Sequence, residues 1–233
     1  MSAVLIFMAV IAVIITWWMA QQRLTSKPWL EVGHAGETTD DGPAIPAQKI
    51  GLGVFLAVVG ALFSLLISAY FMRMDMADWW PVPLPNLLWV NTASLALSSV
   101  ALHWAKTEAG ESRGEAVRTA LLAALATAVL FLAGQILAWR ELTAEGFVLA
   151  GNPANSFFYM ITGLHGLHII GGLIVLSRTT WKAWNGAVSN RLRLSVELCA
   201  IYWHFMLFVW LILFALFAGW ANDFIDICRQ LLT

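Results

Sequence analysis

The chain has 233 residues, of which 60% are apolar and only 12% charged, whereas an ordinary soluble domain carries about 25% charged residues. This composition excludes a soluble globular domain and points to a membrane protein. Thirteen basic residues against 14 acidic ones leave a net charge of −1, which sets nucleic acid aside as a partner.

A helix needs about 20 apolar residues to cross the roughly 30 Å hydrocarbon layer. Six segments meet that length to within a turn: residues 3–20, 50–72, 87–105, 117–139, 156–177 and 195–219. The first has no basic stretch ahead of it. Trp17 and Trp18 stand where a signal-peptidase site needs small residues, so the segment reads as a retained transmembrane helix. The predicted fold class is therefore an all-α membrane protein with six transmembrane helices, one N-terminal helix followed by a five-helix bundle. Its expected organisation is an N-terminal helix at 1–20, a polar cytoplasmic linker at 21–49, the bundle at 50–219 and an extracytoplasmic tail at 220–233. The linker is rich in Gly, Pro, Thr and acids and has no apolar period.

Basic residues in short loops stay on the cytoplasmic side. Arg23, Lys27, Lys49, Lys106, Arg113, Arg118, Arg178, Lys182, Arg191 and Arg193 fall in alternate loops, and only Arg73, Arg140 and Arg229 fall in the others. The bias predicts that both termini are extracytoplasmic. Tryptophans cluster near segment ends, as an interfacial belt requires. Along the second segment Gly53, Gly60 and Ser64 share one stripe, expected to be a packing face. No internal repeat marks a transporter. Cys199 and Cys228 have neither CxxC nor framework spacing, so both read as free thiols.

Ionisable groups within apolar segments are costly, on the order of 2.5–3.5 kcal/mol on insertion scales. His165 and His168 lie three apart on the fifth segment, and His204 lies on the sixth with Glu197 seven residues before it. Counting about 1.5 Å per residue from the basic end, His168 and His204 reach similar depth and are expected to be able to face each other. Neutral imidazole is a common metal ligand, and a bis-histidine heme needs histidines on facing helices. The opposing reading is interhelical hydrogen bonding to Ser, Thr or carbonyl groups. The HxxH spacing lacks the glutamate base of a zinc protease, and Gly163 and Gly166 suit close packing, so the structural reading is the expectation. His103 beside Trp104 reads as interfacial and His34 as solvated. Gln135, Asn91, Ser94, Ser98 and Ser99 are expected to bond between helices. Glu197 is expected about one turn inside the basic boundary, within reach of the loop 178–193 and tied by an arginine, a histidine or a phospholipid head group.

These residues also carry a resemblance. Ser156-Phe157-Phe158-Tyr159 through Thr162-Gly163-Leu164-His165-Gly166-Leu167-His168, with Gly171-Gly172, resembles the penultimate helix of heme-copper oxidase subunit III. Glu197, Tyr202-Trp203-His204-Phe205 and Trp210 resemble that family's last helix, and Asn91-Thr92 with His103-Trp104 resemble an earlier one. The likeness covers about residues 50–219. It implies a non-redox subunit III of a bacterial cytochrome c oxidase in the inner membrane, where oxygen reduction is coupled to proton pumping. Heme and copper would belong to partner subunits I and II. The chain itself would hold no cofactor and no catalytic centre, but would support subunit I, bind phospholipid and sustain proton uptake. Glu197, His204, His168, His165 and Arg178 are the candidate interhelical or lipid-anchoring residues. Two positions depart from the family pattern: the stretch Val58-Val59-Gly60-Ala61 replaces a usual glutamate, and Leu207 replaces a usual aspartate. The alternatives are subunit III of a quinol oxidase, a nitric-oxide-reductase accessory protein and, more distantly, an independent heme-binding membrane cytochrome.

Overall fold

The computed structural model describes residue 13 and residues 46–74, 76–186 and 189–220. The predicted N-terminal helix, apart from helical Val13, lies outside the described residues, as do the linker up to residue 45, His34, Cys228 and residues 221–233. Residues 1–44 and 45–233 form two separate compact units, and the five helices below belong to the second.

The helices are α1 (Ala47–Met74), α2 (Leu87–Gly110), α3 (Gly114–Ala144), α4 (Pro153–Asn185) and α5 (Asn190–Phe217), and no strand occurs among the described residues. Four of them, α1, α3, α4 and α5, are long and apolar enough to cross a membrane. The 24 residues of α2 reach about 36 Å at 1.5 Å per residue, long enough to span, but its many polar residues lower its hydropathy. Those residues point inward: Asn91, Ser94, Ser98 and Ser99 are buried, while Trp89, Val90, Leu97 and Val100 are exposed.

All five helices run past the predicted apolar segments at one or both ends, because an apolar window measures hydrocarbon thickness and the hydrogen-bonded spiral continues into polar flanks. At the start of α4, Asn152 is extended and its side chain accepts from the Ala154 amide at 3.0 Å, with Pro153 in the first turn. Ser189 caps α5 by accepting from the Leu192 amide at 3.2 Å. The start of α1 at Ala47 places Lys49 on the helix, where the sequence reading had it in the linker.

Helices α2, α3, α4 and α5 form a closed ring in which each contacts its two neighbours. α1 sits outside the ring against α4 and α5 and makes no contact with α2. Only Val59 and Phe63 of α1 are buried. The expected packing stripe on α1 is used at one point: a Cβ built on Gly60 would meet the Phe205 ring at 3.6 Å, one on Gly53 would face open space, and Ser64 turns back to the Gly60 carbonyl. In the ring, small residues do set the spacing. Asn91 Oδ1 lies directly against Gly134, leaving no room for a Cβ, and its amide reaches Gln135 Oε1 at 3.4 Å.

Candidate functional site

The helix ends that carry most of the described cations meet at one end of the bundle. Arg193 of α5 donates from Nε to the Ala109 carbonyl at 2.7 Å and also bonds the Gly110 carbonyl, so it satisfies the C-terminal carbonyls of α2. Arg118 of α3 donates to the Ala183 carbonyl near the end of α4 at 2.9 Å, and its guanidinium lies 5.9 Å from the Trp184 ring. Glu108, 8% exposed, accepts from Trp104 Nε1 at 3.0 Å and Arg113 Nη2 at 3.1 Å. Two positive guanidinium groups are thus spent on joining helices at this end.

Glu197 accepts from Lys49 Nζ at 2.7 Å, with the two side chains 29% and 31% exposed. Its protein partner is thus a cation on α1, and no residue of the loop 178–193 bonds it among the described residues. Arg178 is exposed on α4 and makes no ion pair among the described residues. The Lys49–Glu197 bond ties α1 to α5 beside a groove of about 420 Å³. Leu52 and Phe55 of α1, His168, Gly171 and Gly172 of α4, and Tyr202 of α5 line it with other apolar groups. Lys49 is one turn before Leu52. Arg178 and Lys182 follow the lining residue Val175 by three and seven positions, so helical spacing sets them on the groove face of α4 toward the basic end. The groove is thus an apolar channel with cations toward one end.

The three histidines do not converge. His168 Nδ1 lies 2.8 Å from the Leu164 carbonyl and its ring packs on Phe63, with centroids 5.6 Å apart. His204 Nδ1 lies 2.5 Å from Ser99 Oγ, and its ring stacks on His103 at 5.8 Å. The expectation that His168 and His204 face each other is therefore corrected: equal depth fixes height along a helix, but the direction around it is set by side-chain packing. His165 is fully buried among Phe63, Phe131 and Trp210, and neither ring nitrogen has a hydrogen-bond partner among the described residues. Leaving a buried polar group unpaired costs about 1–3 kcal/mol, so this imidazole sits in the core against a penalty. Among the described residues no group of three or more His, Cys, Asp or Glu side chains is placed to hold a metal.

Sequence reasoning did not single out Lys49, Tyr202 or Thr92 for these roles. Tyr202 donates its hydroxyl to the His168 carbonyl at 2.7 Å, fixing α5 to α4 beside the groove. Thr92 accepts from Trp210 Nε1 at 2.9 Å and joins α2 to α5. The usable signal for Lys49 was its place at the polar edge of an apolar segment, one turn before Gly53.

The family model for cytochrome c oxidase subunit III matches residues 2–222. The chain is 29% identical over 195 residues to cytochrome c oxidase subunit 3 of Thermostichus vulcanus, covering 80% of this chain and 91% of that one. It is 31% identical over 175 residues to the same subunit of Synechocystis sp., covering 72% and 74% of the two chains. A probable cytochrome c oxidase subunit 3 of Nocardia farcinica is 31% identical over 177 residues, covering 72% and 85%. A match across nearly the whole length, together with the helical bundle that carries the quoted motifs, leaves one conclusion: the chain belongs to the cytochrome c oxidase subunit III family.

Proposed function

We propose that the chain serves a bacterial, proton-translocating cytochrome c oxidase as its lipid-holding subunit, with the redox centres carried by subunits I and II. The supporting observation is the groove between α1, α4 and α5. Its walls are apolar, the Lys49–Glu197 bond joins α1 to α5 beside the lining residues Leu52 and Leu198, and Arg178 and Lys182 continue its line toward the basic end. A phospholipid would lay an acyl chain against Gly171 and Tyr202 and set its phosphate among those cations. Glu197 then has a structural task. It holds Lys49, and with it α1, against the rest of the bundle.

The same distribution of charge supports five spanning helices in the bundle, the basic end on the cytoplasmic side and extracytoplasmic termini. α2 joins the spans because its lipid-facing surface is apolar and its polar side chains are turned into the ring. The scattered histidines support a chain without a heme of its own. The relatives' names favour cytochrome c over quinol as the donor of the complex.

Gly171 faces open space in the groove, with nothing within 4 Å of an added Cβ. Gly171→Phe therefore fills the groove without disturbing helix packing. In the purified oxidase, native mass spectrometry should show loss of bound phospholipid and turnover should decay faster, with the heme spectrum unchanged. Unaltered lipid content and durability would refute the groove as the lipid site.

A further inference from the structure

Inside the ring, two buried polar groups on facing helices lack a protein partner among the described residues: the amide nitrogen of Gln135 on α3 and both ring nitrogens of His165 on α4. Gln135 is 3% exposed and His165 0%. The two lie at one level. α3 and α4 are antiparallel neighbours, with Trp139 Nε1 donating to Thr162 Oγ1 at 3.2 Å and, further along, Gly166 turned toward Leu132. Gln135 falls between Leu132 and Trp139 on its helix, as His165 falls between Thr162 and Gly166 on the other. They also share a side. Phe131, one turn before Gln135 on the same face of α3, meets the His165 ring with centroids 5.8 Å apart.

Glycine leaves room at this place. Gly166 is buried, yet a Cβ built on it would meet nothing nearer than Leu132 Cδ2 at 4.0 Å, whereas one on Gly172, further along α4, would collide with Tyr202. The space beside Gly166 is bordered by the Gln135 donor and by an imidazole, which in its neutral form has one donor and one acceptor nitrogen. Thr162, fully buried and one turn before His165, adds a hydroxyl oxygen. That hydroxyl donates to the Phe158 carbonyl at 2.6 Å and accepts from Trp139, which leaves it one free lone pair.

We propose that the space beside Gly166 is a binding site for a water molecule that ties α3 to α4 within the ring. The water accepts a hydrogen bond from Gln135 Nε2 and donates to the acceptor nitrogen of His165 and to Thr162 Oγ1. About three bonds is the usual number for a buried water, and polar cavities hold such waters where apolar ones stay dry. None of Gln135, Thr162, His165 and Gly166 lines the groove between α1, α4 and α5, so the site stands apart from the lipid reading.

The test is an electron-microscopy map of the complex purified through a tag on this chain, at a resolution that shows interior waters. The expected result is a density peak within about 3 Å of Gln135 Nε2, an imidazole nitrogen of His165 and Thr162 Oγ1. In Gly166→Ala the added methyl takes the space at an ordinary contact distance from Leu132, so the peak should vanish while α3 and α4 keep their positions. Stability separates a wet site from a dry one. In a dry site the methyl fills a void and raises the midpoint of unfolding by dodecyl sulfate; in a wet one it expels the water, leaves Gln135 and His165 unpaired and lowers the midpoint.

 
A native map with no peak here where other interior waters are resolved, a direct bond between Gln135 and His165, or a raised midpoint for Gly166→Ala would each overturn the site. Gln135→Met keeps the length of the side chain and removes the donor, so it gives the same map test if Gly166→Ala does not assemble. A peak that persists unchanged in Gln135→Met would likewise overturn the bridge.

Discussion

Gly171 and Gly172 are neighbours on α4 with opposite surroundings, and substituting each by alanine separates packing from propensity. A Cβ on Gly172 would collide with Tyr202 Cε1 and stand 2.8 Å from Trp203 Cζ3, whereas one on Gly171 would meet nothing within 4 Å. Trp203 is fully buried and has no room to retreat, so α4 and α5 must separate. Overpacking of this kind costs about 1–3 kcal/mol. Displacing Tyr202 also weakens its 2.7 Å bond to the His168 carbonyl, worth about 0.5–1.5 kcal/mol. Gly172→Ala should therefore destabilise the bundle by about 2–4 kcal/mol. Gly171→Ala should gain about 0.5–1 kcal/mol from helix propensity. The assay is unfolding of the purified chain in mild detergent by added dodecyl sulfate, followed by helicity. Equal midpoints for the two variants, or a more stable Gly172→Ala, would refute the close approach of α4 to α5 at this point.

Arg193→Ala should free the carbonyls of Ala109 and Gly110 and cost about 1–2 kcal/mol, a charged hydrogen bond discounted for partial exposure; faster amide exchange near the end of α2 would show it, and unchanged exchange would refute it. In the loop after α1, Arg73 grips both carboxylate oxygens of Asp78 at 2.7 and 2.5 Å and holds that carboxyl below its usual range. A depressed carboxyl stabilises the fold above its unfolded value of about 3.9, and the contribution disappears as pH falls through the folded value. Protection of this loop from proteolysis should therefore drop in acid below about pH 4 in the native chain, while Asp78→Asn should show that part of the loss already at neutral pH.

The five bundle helices were legible because four carry a strongly apolar run of hydrocarbon length and α2 a shorter one broken by polar residues. Their true ends were less legible, since Glu108 and Ala109 of α2 or Lys182 of α4 are helical for reasons of hydrogen bonding that hydropathy does not register. The candidate site was legible in its residue types and not in its pairings. Glu197 was recognisable as an acid near the polar boundary, yet its partner Lys49 lies 148 residues away, and no local pattern links them. Depth counting placed His168 and His204 at one level, but Phe63 and Ser99 decide where each ring points. His165 was expected to find a partner as the others do. It packs against Phe63, Phe131 and Trp210, because the spacing of three from His168 turns it into the ring interior.

The inward polar face of α2 bears on how the protein is made. Ser94 and Ser98 donate to the carbonyls of Thr127 and Ala124, both 2.8 Å away on α3, and Asn91 meets Gln135 of the same helix. Released from the translocon alone, α2 would show these groups to lipid, where each unsatisfied polar group costs several kcal/mol. With α3 beside it, every one of them has a partner, and the turn between the two helices is only three residues long, Glu111, Ser112 and Arg113. The two helices are thus suited to leave the translocon as one hairpin, with α2 waiting at the exit until α3 has been synthesised.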